Sequence, residues 1–349
     1  MKLTKAIAAL AAASLALIAG CTTPTEGTPS SSAGDTSTAA SGGSSSGALN
    51  ITMLPKNLGN PYFDQSTAGA EEAAGEIGAT ITQVGPTTEG VADSQVEFIE
   101  AATQQGVTAI ELSANDKDAL CDSVKAAQAK GIKVVTFDSD TSCRDLFINQ
   151  VSVDGVAQSL FEMIEDQTGG SGEIAILSAG ANATNQNAWI DALKKLLETK
   201  PDIKLDDVVY GDDADQKSFD ETKGLLSKYP DLKLIVAPTT VGITAAARYV
   251  SSSDKKGKVL VTGLGTPGSM KPYLADGTTK EFALWNPKDL GYLTTYAVKA
   301  LVDGTITGAE GDKFTAGRLG DYTVGANGEV PLGPAFKFNA SNIDQFPWG

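Results

Sequence analysis

The chain contains no histidine. That removes the commonest general base, the Ser–His and Cys–His nucleophile pairs, and imidazole-held zinc. Cysteine is scarce as well, with only Cys21, Cys121 and Cys143, too few for a thiolate metal centre once one of them is assigned elsewhere. Positive charge is in deficit: 27 Lys and Arg stand against 43 Asp and Glu, a net charge of −16. Nucleic acid and anionic lipid surfaces need clustered cations, so neither is an expected partner. No GxxxxGK[ST] phosphate loop is present. A GxGxxG pattern does occur, Gly263-Leu264-Gly265-Thr266-Pro267-Gly268, but Pro267 stiffens it and it falls late in the chain. It reads as a tight turn into a helix near Met270 rather than a dinucleotide site. No cofactor or metal is expected.

At the N-terminus Lys2 and Lys5 precede an apolar run from Ala6 to Ala19, which ends Leu17-Ile18-Ala19-Gly20-Cys21. The run is too short for a mature membrane span and reads as a signal peptide over 1–20. Small residues before Cys21 make it resemble the bacterial lipoprotein signal, which implies that Cys21 becomes a lipid-bearing first residue. Residues 21–47 are almost wholly Thr, Ser, Gly, Ala and Pro and read as a flexible tether with a reach of roughly 25–30 Å. The folded part is then expected outside the cytoplasm, anchored by lipid at the outer face of the cytoplasmic membrane. In that oxidising compartment Cys121 and Cys143 are left to pair. A disulfide there would close a loop of about 23 residues and contribute on the order of 3 kcal/mol; two buried thiols are the alternative.

From Leu49 onward short β-rich runs alternate with longer amphipathic stretches, the pattern of parallel sheets wrapped in helices. Candidate strands are Ile51–Leu54, Thr80–Val84, Ala109–Leu112, Val134–Phe137, Ile174–Leu177, Val208–Tyr210, Leu234–Ala237, Val259–Thr262 and Phe282–Leu284. Helical spacing marks segments such as Val91–Gln104, Ala119–Lys130, Val156–Asp166, Trp189–Leu197 and Phe219–Lys228. One sheet of that many strands would be unusually large, so a division into two lobes is expected near Gln150–Asp154. In open α/β sheets ligands bind beyond the carboxyl ends of the strands.

Those ends carry Lys56, Asn57, Ser113, Asn115, Asp138, Ser139, Asn185, Gln186, Thr239, Thr240 and Asn286, with Tyr62, Phe63, Phe137, Trp189 and Trp285 nearby. Each polar residue alone fits a turn or a helix cap. Together, paired acceptors and donors beside rings that stack on a sugar face suit a polyol better than an anion or a lipid. A glycosidase needs two carboxyls flanking the bond, and Asp138 is the one strong acidic candidate among these ends. Asp140 would share its side of the sugar.

With those residues stated, the chain from about Leu49 to Phe346 resembles the type I periplasmic sugar-binding proteins of ABC importers, and within them the rhamnose-binding and autoinducer-2-binding branch. The carrying segments are Pro55-Lys56-Asn57-Leu58-Gly59-Asn60-Pro61-Tyr62-Phe63, Ser113-Ala114-Asn115-Asp116, Phe137-Asp138-Ser139-Asp140-Thr141, Phe147-Ile148-Asn149-Gln150, Thr184-Asn185-Gln186-Asn187, Ala237-Pro238-Thr239-Thr240 and Leu284-Trp285-Asn286. Cys121 and Cys143 fall where members of this branch have a cysteine pair. The resemblance implies two Rossmann-like lobes with parallel sheets and a three-strand hinge, the first lobe over 48–150 and 286–307 and the second over 151–285 and 308–349. It implies a monomer that closes on a sugar and delivers it to permease subunits, with no catalysis.

The strand ends and the resemblance together give an expected ligand set of Lys56, Asn57, Asn60, Tyr62, Phe63, Ser113, Asp138, Ser139, Asn185, Gln186, Pro238, Thr239, Thr240, Trp285 and Asn286. Autoinducer-2 binders carry Lys, Asp, Asp-Gln, Pro and Ala where this chain has Lys56, Asp138, Asn185-Gln186, Pro238 and Thr240. Asn185 and Thr240 depart from that pattern, and the 184–187 segment looks more like the rhamnose-type proteins. A rhamnose-like deoxyhexose is favoured over autoinducer-2. Presentation of the ligand to a sensor and a secreted sugar-modifying enzyme are the remaining alternatives.

Overall fold

The computed structural model describes residues 49–87 and 91–349. The signal segment, Cys21 and the tether lie outside the described residues. The chain runs β1 (Asn50–Leu54), α1 (Pro61–Ile77), β2 (Thr80–Gln83), α2 (Val96–Gln105), β3 (Ala109–Leu112), α3 (Cys121–Ala129), β4 (Lys133–Phe137) and β5 (Leu146–Asn149). It continues α4 (Val153–Thr168), β6 (Gly172–Ser178), α5 (Thr184–Leu197), β7 (Ile203–Tyr210), α6 (Asp215–Lys228), β8 (Leu232–Ala237), α7 (Thr240–Ser252), β9 (Leu260–Gly263), α8 (Pro267–Ala275) and β10 (Glu281–Leu284). Last come α9 (Pro287–Val302), β11 (Lys313–Thr315), β12 (Asp321–Thr323), β13 (Glu329–Pro331) and β14 (Phe336–Asn339).

Two parallel sheets result, one ordered β13-β5-β4-β3-β1-β2 and one ordered β7-β6-β8-β9. A bridge from Leu264 to Ala283 carries the second sheet on toward β10, which pairs antiparallel with β14. The inner strands are covered on both faces, so they read as unbroken apolar runs: Ile174–Leu177 in β6 and Leu234–Ala237 in β8 are all buried. The chain passes between lobes at 150–152, 285–286 and 332–335.

β13 pairs with β5 in register Glu329↔Phe147 through Pro331↔Asn149. The tail up to Pro331 thus belongs with the first lobe, a correction to the expected assignment of 308–349 to the second. Three residues ending in proline are too short to show a strand period, which is why the sequence pattern gave no sign of it.

Helices α1 and α9 clamp the first lobe through glycine. A Cβ on Gly69 would lie 1.8 Å from the Lys288 carbonyl oxygen, and one on Gly291 would lie 1.8 Å from that of Ser66. At the 263–268 turn Gly263 has φ +140° and a Cβ there would meet the Ala237 backbone, so the glycine serves close strand packing before α8, as a turn requires. Cys121 and Cys143 are joined as a disulfide with Cα atoms 5.5 Å apart, tying the start of α3 to the loop after β4.

Candidate functional site

The carboxyl ends of both sheets face one another, and their loops run directly into helix N-termini. Asn60 caps α1 by accepting from the Tyr62 amide at 3.0 Å, with Pro61 preset for the first turn. Thr239 caps α7, and Asn185 and Gln186 sit in the first turn of α5. Between the lobes these elements line a small, partly open cavity with about 30 Å³ of accessible space, room for a couple of waters.

Asp138 forms the floor. Its backbone is left-handed, φ +60°, which swings the carboxylate under the cleft directly after β4. The Tyr62 hydroxyl donates to Oδ1 at 3.0 Å and the Ser113 hydroxyl to Oδ2 at 2.9 Å. Trp285 Nε1 in turn donates to the Tyr62 oxygen at 2.8 Å. Burial, and then the neighbouring Asp138 carboxylate, hold the Tyr62 hydroxyl well above the usual phenol range, so it remains a donor. Edge-on ring contacts complete the wall: Tyr62 with Phe63 at 5.0 Å and with Trp285 at 6.1 Å, and Trp189 with Trp285 at 5.9 Å.

The lobes touch across this floor. Lys56 Nζ donates to Asn185 Oδ1 at 3.1 Å, Asn185 Nδ2 donates to the Asp138 carbonyl at 3.3 Å, and the Thr240 hydroxyl reaches Asn60 Oδ1 at 3.4 Å. An aspartate at 185 would accept from Lys56 but would have nothing to donate to Asp138; the amide does both. Gln186 is 6 % exposed; its amide donates to the Pro238 carbonyl at 3.2 Å while its Oε1 has no partner.

Eleven of the expected residues come together around the cavity: Lys56, Asn60, Tyr62, Phe63, Asp138, Asn185, Gln186, Pro238, Thr239, Thr240 and Trp285. Four do not line it. Ser113 stands behind Asp138 as its donor. Ser139, directly after left-handed Asp138, is buried with its hydroxyl unpaired. Asn286 caps α9, accepting from the Lys288 amide at 3.0 Å. Asn57 faces a second, neighbouring chamber.

Trp189, Asp213, Leu264 and Leu284 line the cavity in addition. Asp213 follows β7 in a left-handed conformation, φ +46°, and its carboxylate receives the Thr239 hydroxyl. It corrects the expectation that Asp138 stood alone among strand-end acids, and the strand-end rule applied to β7 would have found it. Asp140 instead pairs with Arg144, 3.1 Å from its Nε. Gln95, also unanticipated, is buried and ties the loops beneath the site: its amide donates to the carbonyls of Pro55 and Ser113 at 2.9 and 2.8 Å, and its oxygen accepts from the Asn115 amide at 2.8 Å. Asn115 passes this on by donating to the Lys56 carbonyl at 3.0 Å.

Two α/β lobes that meet over a polar, ring-walled cleft define a solute-binding protein. The family comparison agrees: the model of the periplasmic binding protein domain matches residues 51–306. A sugar ABC transporter structure from Actinomyces odontolyticus is 51% identical, covering 85% of this chain and 97% of that one, with a TM-score of 0.69. An ABC transporter solute binding protein from Clostridium phytofermentas with bound L-rhamnose is 38% identical over 86% of this chain and 98% of its own, at TM-score 0.83. LsrB from Clostridium saccharobutylicum in complex with AI-2 is 25% identical over 85% of this chain and 99% of its own, at TM-score 0.81. The chain belongs to the periplasmic binding proteins, in their type I sugar-binding division, and is not an enzyme.

Proposed function

We propose that this protein is the lipid-anchored, extracytoplasmic receptor of an ABC importer, acting as a monomer and capturing a rhamnose-like deoxyhexose between its lobes for delivery to permease subunits. The observation that carries the ligand class is the relay from Trp285 through Tyr62 to Asp138. It presents a fixed carboxylate beside ring faces, and charge-assisted bonds from sugar hydroxyls to such a group contribute roughly 1.5–3 kcal/mol each. The deoxy preference draws on the apolar corner of Leu264, Leu284 and Trp189, which suits a methyl group better than a hydroxymethyl. The relative with bound L-rhamnose supports the same choice.

Autoinducer-2 is the second reading. It is favoured by Lys56, Asp138, Gln186 and Pro238, which agree with the binders of that signal and all line the cavity. Asn185 and Thr240 weigh against it. Thermal melts of the mature domain against L-rhamnose, L-fucose, D-ribose, D-allose and autoinducer-2 separate the two. A ligand at a hundred times its dissociation constant adds about 2.7 kcal/mol. L-Rhamnose is expected to give the largest rise, and a rise with autoinducer-2 alone would reverse the assignment.

A further inference from the structure

Beside the inner cavity lies a larger chamber of about 280 Å³, against about 30 Å³ inside. The two share walls: Asn60, Asp213 and Thr240 line both. What divides them is the approach of Thr240 Oγ1 to Asn60 Oδ1 at 3.4 Å, a contact between side chains of opposite lobes. It separates when the lobes separate. A ligand admitted between them has both spaces open to it at once.

The outer chamber has the makings of a site. Asn57, on its wall, is 6 % exposed and its Oδ1 has no hydrogen-bond partner. That oxygen is itself sealed from water, so what Asn57 offers the chamber is the rest of its side chain as polar wall. Pro61 and Val241 give apolar surface, and Thr244 and Ser269 give hydroxyls, the mixed lining that suits a sugar ring or a small aglycone. Charge narrows the choice further. No Lys or Arg lines the chamber, whereas Asp213 and Asp215 do. Asp215 is paired with Arg248 at 2.9 and 2.7 Å, so Asp213 leaves the wall net negative, which offsets the pull of the surrounding helix N-termini on an anion.

We propose that the outer chamber is a subsite for an uncharged substituent on the bound sugar, so that the ligand class extends from the free deoxyhexose to its small neutral O-glycosides. This rests on the reading of the inner cavity as the sugar site. Free L-rhamnose would use the inner cavity alone. A glycoside would place its second unit against Asn57 and Val241, past the parted Asn60–Thr240 contact.

Titration calorimetry of the mature domain with L-rhamnose, p-nitrophenyl α-L-rhamnoside and a neutral rhamnosyl disaccharide tests this. The glycosides are expected to bind within about tenfold of L-rhamnose or more tightly. Ser269→Trp and, separately, Val241→Trp fill the chamber. Each should weaken the glycosides by at least tenfold while L-rhamnose stays within twofold. If L-rhamnose binds and both glycosides are rejected, the subsite proposal falls and the sugar reading stands. Glycoside binding that neither tryptophan disturbs also overturns the subsite, since the substituent then lies elsewhere. Failure of L-rhamnose and the glycosides alike overturns the sugar reading and the proposal together.

Discussion

Asp138 combines a left-handed backbone with a carboxylate whose two oxygens already accept from Tyr62 and Ser113. Alanine there would disturb both the backbone and the charge, because Asp and Asn tolerate positive φ far better than Ala. Asp138→Asn separates the two effects. The amide keeps the shape, and the Ser113 hydroxyl can turn to accept from it. This variant is expected to melt within a few degrees of wild type yet bind the sugar at least about tenfold more weakly, the loss of one charge-assisted bond. Calorimetry showing affinity within twofold of wild type would remove Asp138 from the ligand contacts.

A second carboxylate departs from its surroundings in a different way. Glu111 lies fully buried in β3, with Oε1 accepting from the Thr295 hydroxyl at 2.8 Å and Oε2 unpaired. Burial raises it from an ordinary 4.5 to about 8, so the folded protein holds a proton there that the unfolded chain releases above pH 4.5. Stability is therefore greatest below about pH 4.5 as far as this group is concerned, and falls between pH 5 and 8 by up to about 1.4 kcal/mol per unit. With no histidine in the chain, no side chain with an ordinary pKa titrates in that window to obscure the effect. Half-buried Glu281, raised by burial as well, adds a slope of the same sign. Glu111→Gln is expected to flatten most of the decline and to stabilise the protein at pH 8 by a few kcal/mol. Denaturant melts at pH 5, 6.5 and 8 check it; parallel slopes for the two proteins would contradict it.

At the scale of elements, the central parallel strands were legible because burial on both faces leaves a run of Ile, Val, Leu and Ala that no surface segment can mimic. Site residues at their ends followed from that alone, and Lys56, Asp138, Asn185 and Thr240 do meet in space. What escaped has common physical causes. Asp213 lay within reach of the strand-end rule, three residues past Tyr210, but 211–213 also reads as a charged surface turn, and it is the fold that carries Asp213 back onto Thr239. Gln95 sits where a helical pattern seemed to begin at Val91, although α2 starts at Val96; its three bonds run to loops 18 to 40 residues away, and long-range bonds leave no periodic trace. The seam between α1 and α9 was equally silent, since glycine spacing in a helix says nothing of which backbone approaches. That seam can be tested by Gly291→Ala. Helix propensity alone would favour alanine by about 1 kcal/mol. The Cβ would meet a backbone oxygen at 1.8 Å, however, and backbone cannot swing aside as a side chain can. Overpacking of this kind costs about 1–3 kcal/mol, so a lowered melting temperature is expected, whereas a raised one would mean the helices part easily.

For the whole molecule, the decisive quantity is the size of the inner cavity, about 30 Å³. Ligand pockets for small molecules run to about 300–1,000 Å³, and no hexose fits a space suited to a couple of waters. The structure therefore represents the lobes closed upon their own side chains, with Lys56, Asp138 and Asn185 satisfying one another across the cleft. Those same groups must let go of each other before they can hold a sugar. Three chain crossings, at 150–152, 285–286 and 332–335, allow that motion; Leu332, at the start of the third, stays tied to the first lobe by its amide on the Asn149 carbonyl at 2.7 Å. Entry of ligand requires an open form, and closure around it should stop slightly short of the separation seen here because the sugar occupies the floor. Small-angle scattering of the mature domain is expected to show a larger radius of gyration without ligand, a decrease on adding saturating L-rhamnose, and a bound value no smaller than that calculated from this structure. A profile that matches the closed form without ligand and does not change with it would show that the cleft does not open as a hinge, and the binding site would then have to be sought outside it.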